Sequence, residues 1–169
     1  MIAAYREGMD ALKKGDVYFA AKKFNEAELL YPQSEWAAKA VLMASYGYYT
    51  QAYYKSAVSE LDRFITKYPK DPNLDYAYYL LAMCHYESIV DEKKDLKPLL
   101  YARDSFNLVI EKFPLTYFAI DAKYKLGLIN DLLAAKEMYI ARHYIKKEKW
   151  IAAVNRLKVI VEDYDTTIY

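Results

Sequence analysis

The chain has 169 residues, 55% hydrophobic, 17% aromatic and 28% charged, with four glycines, five prolines and one cysteine. This composition excludes intrinsic disorder, and so little glycine and proline beside 20 tyrosines argues against a turn-rich β architecture. With 24 basic and 23 acidic residues the net charge is +1, so total charge names no partner such as duplex nucleic acid or an anionic membrane.

The periodicity predicts eight helices in four pairs. The first pair, roughly 2 to 14 and 17 to 31, carries Gly8, the turn Gly15-Asp16, then Ala20, Phe24, Ala27 and a closing Tyr31-Pro32. The second, roughly 35 to 50 and 53 to 67, opens on Ser34, whose short polar side chain suits a helix start, and closes on Tyr68-Pro69. In the third, roughly 74 to 89 and 98 to 112, Asp71-Pro72 marks the start and Phe113-Pro114 the end; the charged run from Asp91 to Pro98 between its helices reads as a solvated loop. The fourth is longer: Ala119, Ala122, Leu126, Ile129 and Leu133 sustain one helix from roughly 117 to 147, with a break near Asn130-Asp131 as the alternative, and a helix from roughly 150 to 163 follows.

The four pairs share one design. Ala20, Ala57, Ala102 and Ala153 each precede the second residue of the closing pair (Pro32, Pro69, Pro114, Asp165) by twelve, and Phe24, Leu61, Phe106 and Leu157 precede it by eight. That four-residue offset puts a small and a large residue on one helix face, where two helices of a hairpin can cross closely. Small residue, turn, Ala-x3-aromatic-x2-Ala and closing proline resemble the tetratricopeptide repeat. The fold expected is therefore all-α, a tetratricopeptide (TPR) superhelix, or α-solenoid, of about four helix-turn-helix repeats in a single domain, at approximately 1–33, 34–71, 72–115 and 116–169.

Catalytic motifs are not read. No glycine-rich phosphate loop, His-Glu-x-x-His or Gly-x-Ser-x-Gly occurs. Cys84 and His85 are adjacent, but successive helical residues point about 100° apart and do not form a nucleophile–base pair. The lone cysteine makes neither an internal disulfide nor a cysteine zinc site. No enzyme activity, metal or cofactor is expected. Nor is there an apolar run of about 18 residues or a signal-like start.

The expected working surface is the concave face lined by first helices. With Gly8, Ser45, Ala82 and Ala141 as the crossing residues, that face takes Tyr5, Met9 and Leu12, then Leu42, Tyr46 and Tyr49, then Tyr79, Met83 and Tyr86, then Met138 and Arg142. Tyrosine and methionine offer large, adaptable area for apolar peptide side chains. Such a stripe also serves packing between neighbouring helices. Tyr46, Tyr48, Tyr49, Tyr53 and Tyr54 cannot all enter one core, so some rings are expected to be exposed. The face lacks the concentrated Lys and Asn of the TPR co-chaperones that clamp a terminal carboxylate.

Beyond the generic repeat, three stretches resemble the BamD family of outer-membrane assembly lipoproteins, also called ComL or YfiO. They are Tyr31-Pro32-x-Ser34-x-Trp36-Ala37; Arg63-Phe64-Ile65 with Tyr68-Pro69-x-x-Pro72-Asn73-x-Asp75-Tyr76-Ala77-Tyr78-Tyr79; and Tyr139-x-Ala141-Arg142-x-Tyr144 with Trp150-x-Ala152-Ala153-x-Asn155-Arg156. The resemblance implies a non-catalytic scaffold of the β-barrel assembly (BAM) machinery, at the periplasmic face of the outer membrane and lipid-anchored in its native form. It would bind the periplasmic domains of BamA, other BAM subunits and unfolded outer-membrane precursors. The peptide groove would be Tyr5, Met9, Leu42, Tyr46, Tyr49, Tyr79, Met83 and Tyr86, and the partner interface Arg142 and Arg156. A helix-face charge pairing with Glu162 or Asp163 is the alternative for Arg156. The family's lipid-bearing cysteine and fifth repeat are not matched, so these residues are expected to be a truncated core. A periplasmic TPR adaptor coordinating the envelope with cell division, or a peptide-binding co-chaperone, are the alternative functions.

Overall fold

The computed structural model describes residues 2–89 and 97–168. Among the described residues eight helices follow one another: α1 (Ile2–Lys13), α2 (Val17–Leu30), α3 (Glu35–Thr50), α4 (Tyr54–Lys67), α5 (Leu74–Glu87), α6 (Lys97–Lys112), α7 (Tyr117–Lys146) and α8 (Trp150–Asp163). Each packs on the helix before and after it, and beyond these α3 touches α5 and α5 touches α7. First helices therefore line up as one layer and second helices as another, which is the tetratricopeptide-like solenoid. α7 runs unbroken through Asn130 and Asp131 for 30 residues, about 45 Å at 1.5 Å per residue. Most of the charged run from Asp91 to Pro98 lies outside the described residues.

The small–large pairing builds the core. Ala20, Ala57, Ala102 and Ala153 are buried, as are Phe24, Leu61 and Phe106, while Leu157 on the last helix is half-buried. Gly8 is the extreme case: a Cβ there would come within 2.8 Å of the Phe24 ring, closer than real contacts allow. At the matching position of α3 the side chain of Ser45 is buried and donates to the Val41 carbonyl at 2.9 Å, so its hydroxyl is satisfied within its own helix.

Helix ends follow local chemistry. Asp16 accepts from the Phe19 amide, Ser34 from that of Trp36 and Thr116 from that of Ala119, at 3.1, 3.1 and 3.3 Å, each satisfying a free first-turn donor. The Asp71-Pro72 start signal works differently. Asp71 Oδ1 accepts from the Asn73 amide at 2.8 Å and from Asn73 Nδ2 at 2.9 Å, shaping a turn one step before the helix. Three hairpins share one turn, in which the amides of Asp16, Tyr53 and Lys149 donate to the carbonyls of Ala11, Tyr48 and Tyr144 at 3.0, 2.9 and 3.0 Å. The preceding residue is left-handed in all three: Gly15 at φ +81°, Ala52 at +60° and Glu148 at +56°. Only the first turn uses the residue that adopts this conformation without steric cost.

A second link joins α2 and α4, which are not successive helices. The Glu28 side chain is buried at 2% exposure, while its partners Arg63 and Lys67 are 37% and 45% exposed. Arg63 Nη1 donates to Glu28 Oε2, Lys67 Nζ to Oε1 at 2.7 Å and the Tyr68 hydroxyl to Oε1 at 2.9 Å. Arg63 also donates to Asn25 Oδ1 at 2.8 Å and to Glu60. Burial pushes the Glu28 carboxyl up, but the donations from Lys67, Arg63 and Tyr68 outweigh it and hold the group below its ordinary value.

Two predictions follow from the turns and the ion cluster. Ala52→Gly should raise stability by about 1 kcal/mol, seen as a higher midpoint in thermal denaturation; an unchanged or lower midpoint would show that Ala52 bears no conformational cost. Glu28→Gln should destabilise by about 1–3 kcal/mol at neutral pH. Because the folded carboxyl titrates below its unfolded value of about 4.3, the stability it contributes is complete above that value and lost as pH falls through the folded one. Denaturant titrations should therefore show the gap between the two proteins closing in acid, and a gap that stays constant into acid would contradict the assignment.

Candidate functional site

The layer of first helices holds an open hollow of about 400 Å³ lined by Tyr5 of α1, Lys39, Leu42, Met43 and Tyr46 of α3, and Asn73 and Tyr76 at the start of α5. On α3 the spacing i, i+3, i+4, i+7 brings residues 39, 42, 43 and 46 onto one face. The Tyr5 ring is held edge-on against Trp36 at 5.1 Å and tilted against Phe24 at 5.4 Å, so the same phenylalanine that fits Gly8 also seats one wall of the hollow. Tyr46 is 39% exposed. Tyr76 packs on Phe118 at 5.5 Å, and its hydroxyl is pushed up to about 12 by burial and by the neighbouring Tyr46 and Tyr49. Burial likewise raises Tyr5. Lys39 is the one charged side chain among the described residues lining the hollow; its ammonium lies 5.1 Å from the Trp36 ring centroid.

The residues expected from sequence divide into two groups. Tyr5, Leu42 and Tyr46 come together in the hollow, Leu42 as its buried floor at 8% exposure. The others do not line it. Met9 packs on the core between α1, α2 and α3, and Tyr49 lies against Tyr54 at 6.0 Å between two cores. Met83 is buried at 9% in the core of α5, α6 and α7, a correction to its expected place on an open face. Tyr79 and Tyr86 are half-buried packing residues. Tyr79 lies 5.1 Å from Phe118 and 6.3 Å from Phe106, and its hydroxyl donates to Asp121 Oδ2 at 2.6 Å. Burial and then this bond to a carboxylate raise its pKa. Tyr86 lies 6.2 Å from Phe106, with the Lys125 ammonium 5.1 Å from its ring centroid. The reason is α7, which packs against α5 and occupies the face these side chains would otherwise present.

Lys39, Met43, Asn73 and Tyr76 were missed. For the first two the signal was the same helical spacing, started three residues earlier on α3; Asn73 and Tyr76 were visible only as family-like residues. A larger hollow of about 660 Å³ lies along α2, lined by Tyr18, Lys22, Asn25, Glu26, Leu29, Leu30 and Tyr48. None of the expected residues is in it.

Of the expected interface charges, Arg142 is exposed on α7. Arg156 on α8 donates to Glu137 Oε2 of α7 at 3.1 Å, with side-chain exposures of 43% and 14%. Its partner is thus Glu137 rather than Glu162, which pairs with Lys158 at 3.4 Å. Cys84 is buried and its thiol is pushed up to about 12 by burial, so it is not a thiolate at neutral pH. Burial pushes His85 down, against the opposing influence of Asp62; its ring lies 6.0 Å from Tyr101. Among the described residues no group of three or more His, Cys, Asp or Glu could hold a metal ion, and no helix is long and apolar enough to cross a membrane.

The chain matches the YfiO family, described as outer membrane lipoprotein, over residues 1–169. It is 39% identical over 163 residues to a Caulobacter vibrioides protein named outer membrane protein assembly factor BamD, covering 96% of this chain and 53% of that one. A Rickettsia prowazekii protein of the same name is 39% identical over 165 residues, covering 98% and 66%, and one from Neisseria gonorrhoeae is 30% identical over 175 residues, again covering 98% and 66%. The chain thus spans between about half and two thirds of the length of these relatives. With the match running from the first residue to the last, through every helix pair of the solenoid, the chain belongs to the YfiO family of outer membrane lipoproteins.

Proposed function

We propose that this protein is a non-catalytic scaffold in the assembly of outer-membrane β-barrels, working at the periplasmic face of the outer membrane. Family membership and the assembly-factor names of its relatives support the process. The observation that carries the binding role is the open hollow of Tyr5, Leu42, Met43, Tyr46 and Tyr76 with Lys39 at its side. Its aromatic and aliphatic walls suit the apolar side chains that alternate along an unfolded barrel strand, and its single cation favours a carboxylate over an ammonium nearby. The hydroxyls of Tyr5 and Tyr76 are raised and stay neutral at physiological pH, so they bind as hydrogen-bonding rims on apolar rings.

The α7–α8 pair serves as the face toward the periplasmic domains of BamA, with Arg142 and Arg156 as its charged contacts. Arg156 is suited to this because Glu137 orients it while leaving it partly exposed, and an oriented guanidinium loses less freedom on meeting a carboxylate.

For the hollow, Tyr46→Ala should weaken binding of a labelled C-terminal strand peptide from an outer-membrane barrel protein by about ten-fold in a fluorescence titration, with helix content unchanged by circular dichroism. Unchanged affinity in a folded variant would remove the hollow from precursor binding. For the interface, Arg156→Glu should weaken association with BamA periplasmic domains, and so should Arg156→Glu combined with Glu137→Arg. The double exchange restores the internal ion pair, so recovery of binding in the double variant would show that Arg156 acts only by holding α8 on α7.

A further inference from the structure

The outward face of α2 departs from the repeat. Tyr18, Lys22, Asn25 and Leu29 follow one another at intervals of four, three and four residues, which sets them on one stripe of the helix. Shifted by the offset that carries Ala20 to Ala57, the same stripe on α4 reads Lys55, Ser59, Asp62 and Thr66. All four are exposed, although α4 lies between two other helix pairs, so this is a stripe that stacked repeats leave in water. The place of Leu29 is taken by Glu111 on α6 and by Glu162 on α8, both exposed. A polar side chain thus stands there in three repeats and a leucine in the first. Leu29 is 79% exposed, Leu30 beside it 58% and Tyr18 60%. A neighbouring repeat would not cover them.

The hollow of about 660 Å³ runs along this stripe. At one end it has an aromatic cup, where the Tyr18 ring lies 5.8 Å from that of Tyr48 and 5.2 Å from that of Tyr53. At the other end, roughly 16 Å along the helix, Leu29 stands out as a knob. Between them lie Lys22 and Glu26; Glu26 accepts from Lys23 at 3.1 Å and is still 46% exposed. A two-fold axis midway between Tyr18 and Leu29 brings the Leu29 of each copy to the aromatic cup of the other. It also sets Lys22 opposite Asn25 of the second copy and beside its Glu26. A face that is apolar at both ends and carries both signs of charge in its middle complements itself under that axis. A uniformly acidic or basic partner would instead set one of the two charges against its like.

We propose that two copies of this chain associate through α2, antiparallel across that two-fold axis, as an isologous dimer. The face belongs to the layer of second helices and includes neither the residues of the hollow of Tyr5 and Tyr46 nor Arg142 and Arg156.

The test is sedimentation velocity on the full chain at increasing concentration from about 1 μM upwards, where a micromolar association shows as a shift from monomer to dimer. Leu29→Glu should weaken the association about 100-fold, because the cup would have to take a charge. Lys22→Glu and Glu26→Lys should each weaken it about ten-fold, and the two together should restore it, since under two-fold symmetry the exchanged charges meet again across the interface. All three positions are exposed, and circular dichroism checks that each variant keeps its helices. A chain that stays monomeric throughout would overturn the proposal and leave the face to a protein other than itself. So would a dimer that survives Leu29→Glu, or a double variant that associates no better than the single ones.

Discussion

The Phe24 ring fills the place where a Cβ on Gly8 would come within 2.8 Å of it, and this fit of a large side chain into a missing one sets how closely the two helices of a hairpin cross. Repeated with the buried pairs Ser45 and Leu61, then Ala82 and Phe106, it gives successive hairpins a common geometry. Helices so crossed stack on their neighbours, and the result is a layer of first helices backed by a layer of second helices. The hollow depends on it directly, since Phe24 also seats Tyr5.

The Glu28 cluster ties the second-helix layer in a different way. Packing between successive helices is apolar and tolerant of small rotations, whereas a buried carboxylate held by Arg63, Lys67 and Tyr68 tolerates few. It joins the first repeat to the second, which are the two repeats whose helices form most of the hollow. Arg63 was singled out within the family-like run Arg63-Phe64-Ile65; its partner Glu28 carried no sequence signal, because a glutamate on a helix is ordinarily solvated.

In the third and fourth repeats the same tyrosine-rich pattern has another use. Tyr79 and Tyr86 obey the spacing that puts Tyr46 in the hollow, yet α7 lies against α5 and turns them into packing, with Asp121 and Lys125 meeting their polar tips and faces. Side-chain type and period are the same in both cases. What differs is how much of the face the next first helix covers, since Tyr46 stays 39% exposed beside α5 while Tyr79 and Tyr86 pack under α7.

Period and small–large spacing by themselves determined the eight helices, the order in which they pair and the crossing residues Gly8, Ser45, Ala82 and Ala141, because these rest on interactions within a helix or between sequence neighbours, whereas the continuity of α7 through Asn130 and Asp131 was left open and was decided by the structure. The family was legible for the same reason, in runs such as Tyr68-Pro69 to Tyr79 that exceed what the repeat requires. Tertiary structure alone decided that Lys39, Asn73 and Tyr76 join Tyr5 and Tyr46, that Met83 is buried, and that Arg156 meets Glu137. Each of these depends on the angle between packed helices, and a periodic pattern specifies the face a residue occupies without specifying what lies opposite it.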